Sequence, residues 1–71
     1  MAVVIEKLAL RIVRALHKVT EGRPQQWRAA GSITKDPEAQ QAIQYAVDEG
    51  WLLVEGGHSL CLTGVGRRLV D

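Results

Sequence analysis

Few side chains in this sequence are suited to covalent or metal chemistry, and their spacing argues against both. His58 and Cys61 stand three apart, a separation that invites a metal reading. They lie in the second of two short apolar runs, residues 51–55 and 58–63, separated by Gly56-Gly57, and this pattern reads as a β-hairpin with a two-residue loop. In that register residue 55 pairs with 58, 53 with 60 and 51 with 62. His58 and Cys61 then fall on opposite faces and cannot share an ion. His17 is remote in sequence, and Cys61 is the only cysteine, so no internal disulfide is possible and nothing points to an oxidising compartment. No glycine-rich phosphate loop is present, no nucleophile has a neighbouring base, and the carboxylates fall on exposed helical positions. The reading is therefore of no catalytic residue, no metal site and no cofactor. A cytoplasmic protein that is not an enzyme is expected.

What remains is charge. The net charge is only +1, yet residues 1–35 carry +5 and residues 36–71 carry −4. Such a split between halves can mark a charged partner surface. Lys7, Arg11, Arg14 and Lys18 fall within an arc of about 60° on a helical wheel and read as a solvated face. With Glu6 they interrupt every apolar run of the first 19 residues, so this stretch is neither a signal peptide nor a membrane span. Residues 36–55 hold five carboxylates and no Lys or Arg.

The elements that must carry these residues follow from periodicity. Seventy-one residues suffice for one domain, and a chain so short buries only about 60% of its unfolded surface, so the core must be economical. A hydrophobic share of 46% without low-complexity tracts is ordinary globular composition and argues against intrinsic disorder. Ile5, Leu8, Ala9, Ile12, Ala15, Leu16 and Val19 share an arc of about 120°, which predicts a first helix over 3–20. Leu10, Val13 and His17 form a further, semi-apolar strip on it. Glu21-Gly22-Arg23-Pro24 breaks that helix, and Pro24 opens a second one over 24–31. Asp36-Pro37 starts a third over 37–49 with Ala39, Ala42, Ile43, Ala46 and Val47 inward. Glu38, Gln41, Gln44, Tyr45 and Asp48 point outward, and Gly50 takes the left-handed position at its end. The hairpin occupies 51–63, with Trp51, Leu53, Leu60 and Leu62 on one face and Leu52, Val54 and Cys61 on the other. Thr63 caps a short closing helix over 64–70. Trp27 and Trp51 read as core aromatics. The class is mainly α with a small β-hairpin, an α+β single domain over 1–71.

Three helices, a hairpin with a glycine turn and a closing helix are the element order of the winged helix-turn-helix transcription factors, and two stretches of text agree. Asp48-Glu49-Gly50-Trp51-Leu52 resembles the helix end, glycine and large apolar pair that open the wing in MarR-, PadR- and ArsR-like regulators. Leu62-Thr63-Gly64-Val65-Gly66-Arg67-Arg68-Leu69 resembles their Leu-Thr-x-x-Gly-x-x-Leu exit into the last helix. The resemblance implies a small regulator that binds double-stranded DNA as a homodimer. It makes the helix from Pro37 the recognition helix, with Gln40, Gln41, Gln44 and Tyr45 facing the major groove, where Gln can pair bidentately with adenine N6 and N7. Arg23, Arg28 and Lys35 would grip the backbone. The alternative is a protein-interaction module that does not bind DNA, docking through its acidic third helix and the Leu10/Val13 strip of the first, because fold alone does not determine function.

Overall fold

The computed structural model describes residues 2–70 apart from 22, 24, 25 and 57. In chain order it contains α1 (Ala2–Thr20), β1 (Trp27–Ala29), α2 (Ala30–Ile33), α3 (Ala39–Asp48), β2 (Leu52–Glu55), β3 (Ser59–Leu62) and α4 (Gly64–Val70). The chain is mainly helical with a small antiparallel sheet in the order β1-β3-β2.

No glycine or proline interrupts residues 2–20, so α1 runs unbroken and lays its apolar arc across the core. Ile5, Ala9, Ile12, Val13 and Leu16 pack with Ala42, Ile43 and Ala46 of α3 and with Leu52, Leu60 and Leu62 of the sheet. Ala9, Ala42 and Ala46 are wholly buried, small residues that let α1 and α3 come close. The buried arc is wider than the expected stripe because α1 is touched by α2, α3, α4 and β3. Val13 is wholly buried and Thr20 nearly so, whereas Val19 is 48% exposed. The expected free strip of Leu10, Val13 and His17 therefore does not exist: Val13 belongs to the core, and Leu10 and His17 are half-buried. Thr20 tolerates its burial by donating its hydroxyl to the Leu16 carbonyl at 2.7 Å.

The segment between α1 and α3 departs from expectation. Of the helix expected over 24–31, residues 24 and 25 lie outside the described residues, and Trp27, Arg28 and Ala29 are extended rather than helical. They pair antiparallel with β3, Trp27 opposite Cys61, Arg28 opposite Leu60 and Ala29 opposite Ser59. The open edge of β3 offers these three residues backbone partners, and tertiary context outweighs the local preference. The helix is confined to the single turn of α2. Trp27, 39% exposed on this edge strand, is not a core aromatic.

Helix α3 starts two residues later than Pro37. The Asp36 carboxylate accepts the Glu38 N–H at 2.8 Å, so residues 36–38 form a turn before the helix proper. At the other end Gly50 adopts φ +78, its N–H reaches the Val47 carbonyl and the Trp51 N–H reaches that of Ala46. These are the paired bonds of a Schellman C-terminus, and they demand a residue without Cβ strain at Gly50.

The hairpin register is shifted by one from the expected one: Leu52 faces Leu62, Leu53 faces Cys61, Val54 faces Leu60 and Glu55 faces Ser59. The loop spans residues 56–58, three rather than two. Gly56 sits at φ +63, and the His58 ring bonds the Gly56 carbonyl at 2.7 Å, which makes His58 part of the turn; Gly57 lies outside the described residues. Leu52, Leu60 and Leu62 therefore share the inner face and are buried, while Leu53 stands 52% exposed on the outer face beside Cys61. The cap on α4 is as expected, with the Thr63 hydroxyl accepting the Gly66 N–H at 3.0 Å.

Candidate nucleic-acid interface

The polar face of α3 is produced by its own burial pattern. Ala42, Ile43 and Ala46 are held in the core, which turns Gln40, Gln41, Gln44 and Asp48 to solvent. The Gln44 amide donates to the Asp48 carboxylate one turn on at 2.9 Å, so one glutamine of the row is already oriented. Gln40 and Gln41 stand exposed with their amides open to a partner.

Tyr45 does not join this row. It is half-buried, packs against the core cluster and meets the Trp51 ring edge-on with centroids 5.7 Å apart. Its phenol pKa is raised above 10.0, first by desolvation, then by the negative charges of Glu6 and Glu49 and by a hydrogen bond with the Glu49 side chain. Tyr45 therefore faces α1 and the start of the hairpin, and its expected outward position is corrected.

The three expected backbone grips fall in different places. Lys35 is exposed in the turn that leads into α3, next to Asp36. Arg23 is exposed beyond the end of α1, 3.8 Å from the Glu21 carboxylate; with both side chains more than 70% exposed, this pair is weak and leaves the guanidinium available. Arg28 belongs to β1, not to a helix, and its guanidinium donates to the Trp27 carbonyl at 2.9 Å. Lys35 alone of the three is adjacent in the chain to the start of α3.

The fold adds two cations that helical-wheel reasoning left out of the site. A groove of about 310 Å³ runs between Val4, Lys7, Leu8 and Arg11 of α1 and Asp36 and Glu38 at the entry to α3. A second hollow of about 230 Å³ continues it, from Leu8, Arg11, Ile12 and Ala15 to Ile33, Thr34 and Asp36. Lys7 and Arg11 thus face the approach to α3 across the groove from Asp36 and Glu38. The wheel groups the cations on one face of α1 but contains nothing about which neighbour that face overlooks. Among the described residues no three of His, Cys, Asp and Glu come together to hold a metal, and no helix is long and apolar enough to cross a membrane.

Comparison with known proteins brings no match: none is found among protein-family models, among curated proteins or among solved structures.

Proposed function

We propose that this chain is a small DNA-binding domain of the winged helix-turn-helix type, with α3 lying in the major groove and the β2–β3 hairpin serving as the wing. The observation that carries the reading is the exposed row of Gln40, Gln41 and Gln44 on a helix whose opposite face is buried, approached by Lys35 and flanked across a groove by Lys7 and Arg11. A helix so anchored offers amides at defined positions, and each good bidentate amide–adenine pair discriminates by about 1–3 kcal/mol. The pairing of β1 with β3 supports the same reading, because it joins the segment before α2 to the hairpin and makes helices and wing one body. Phosphate contacts must come from outside residues 36–55, which contribute no cation, and Lys35 is the exposed one adjacent in the chain to α3. The test is an amide NMR titration with a short mixed-sequence duplex at low salt. Shifts concentrated at Lys35, Gln40, Gln41 and Gln44 that reverse on adding salt are expected; an undisturbed α3 would overturn the reading.

A second reading, a protein-interaction module, draws on the outer face of the sheet. Trp27, Cys61 and Leu53 lie in one cross-strand row there, and Trp27 and Leu53 are 39% and 52% exposed. The strip on α1 that this reading first relied on is lost with the burial of Val13. Its form here is a homodimer through that face. Sedimentation over a concentration series should show a mass above one chain that Leu53→Asp abolishes; a single-chain mass throughout would sink it.

A further inference from the structure

We infer that the outer face of α1 is a separate nucleic-acid contact: Lys7, Arg11, Arg14 and Lys18 form a track for the phosphate backbone of duplex DNA, independent of base reading by α3. Their steps of four, three and four residues keep them on one face, and at 1.5 Å per residue the track is about 16 Å long. All four are exposed, and none makes an ion pair with another described residue. Glu6, the one carboxylate within α1, sits about 100° away around the helix, on the side where its charge acts on Tyr45, while Asp36 and Glu38 line the groove beside Lys7 and Arg11 at the N-terminal end of the track.

Rigidity turns this row into a site. The opposite face of α1 is buried from Ile5 to Thr20, so the four cations are carried on a fixed rod and lose little backbone freedom on binding. A linear array of like charges matches a linear polyanion, whereas a small anion would need donors that converge. A lipid surface fits less well. An interfacial helix inserts its apolar face, and that face of α1 is occupied by α3 and the sheet. An occupant of regularly spaced phosphates is the one that engages all four cations together.

The inference does not depend on α3, and the experiment separates the two. Binding of a short mixed-sequence duplex is measured against salt concentration for the wild type, for Arg11→Gln/Arg14→Gln and for Gln41→Ala/Gln44→Ala, with far-UV circular dichroism as a check on folding. Gln resembles Arg in helix propensity and the positions are exposed, so the fold should persist. Four neutralised phosphates contribute about −3.6 to the slope of log K against log salt, so removing two cations should make the slope shallower by about 1.8. An unchanged slope overturns the track, whatever the Gln variant does. If the slope falls in the Arg variant while the Gln variant binds the duplex with the affinity of the wild type, the track stands and α3 contributes nothing to that binding. Two further outcomes would overturn the track. One is binding to phosphatidylserine-containing vesicles without binding to the duplex. The other is salt-sensitive self-association in the absence of DNA that the Arg variant abolishes, since the acidic α3 of a second copy would then be the occupant.

Discussion

Thr63 and Gly66 tie the end of α3 and the start of the hairpin to α4. The Thr63 hydroxyl donates to the Gly50 carbonyl at 2.5 Å, with that of Trp51 sharing the proton at 3.0 Å, and accepts the Gly66 N–H; the Thr63 N–H reaches the Trp51 carbonyl as well. Gly66 allows this because a Cβ there would run into the Trp51 carbonyl oxygen and come within 2.9 Å of the Leu62 methyl. Gly66→Ala should therefore cost about 1–3 kcal/mol, as overpacking does, visible as a fall in melting temperature of several degrees in thermal unfolding. Thr63→Val removes the cap at nearly constant volume and should cost about 0.5–2 kcal/mol. Tyr45 gives a prediction with a sign. Its phenol holds its proton more tightly in the folded chain than when unfolded, so the native state binds more protons above pH 10. The stabilisation is complete below that pH and is lost as pH rises through the folded value. Tyr45→Phe should flatten the alkaline decline, measured as denaturant midpoint against pH, and an unchanged decline would show that Tyr45 is not its source.

Among the elements, two local chemical signals match their sequence reading, the Asp36-Pro37 start of α3 is displaced by the turn over 36–38, and the features decided by neighbours do not match. The start of α4 rests on a threonine hydroxyl three residues before Gly66, and the end of α3 on a glycine that can take positive φ; both are properties of single residues. The strand β1 has no such mark. Trp27, Arg28 and Ala29 are too few to display a period of two, and only the distant edge of β3 makes them extended. The hairpin register hinged on whether His58 belongs to strand or loop, and its ring bond to the Gly56 carbonyl, which puts it in the loop, is a feature of folded geometry. Gly56→Ala tests this turn. At φ +63 a side chain is strained, so a loss of about 1–2 kcal/mol is expected, with Gly56→Asn losing less. The candidate site divides in the same way. The exposure of Gln40, Gln41 and Gln44 follows from the apolar period of α3, but the turning of Tyr45 toward Trp51 and the position of Lys7 and Arg11 across from Asp36 depend on how helices cross.

The whole molecule extends 31 × 23 × 18 Å, and α1, about 28 Å long at 19 residues, nearly spans its greatest dimension. One helix thus supplies both the floor of the core and the molecule's densest row of positive charge. This arrangement explains how a chain of net charge +1 keeps a strongly polar distribution: the cations of residues 7–18 project from α1, while the carboxylates at 36, 38, 48 and 49 gather around α3. Any polyanion binding should accordingly be far more sensitive to salt than the overall charge suggests.

The strand order has a consequence in time. Because β3 is central, residues 27–29 and 52–55 have no sheet to join until residues 59–62 arrive. During synthesis the stretch around Trp27 is therefore made, and waits, while its eventual partner is still unborn; in that interval its own preference for helix has no rival. Contacts distant in sequence form late, so pulsed hydrogen exchange during refolding should find the amides of α1 and α3 protected before those of Trp27 to Ala29. Simultaneous protection would mean that the sheet forms together with the helices. The segment that ends as the sheet's outermost strand would begin its existence coiled, and the maturation of this small domain would include a local change of identity.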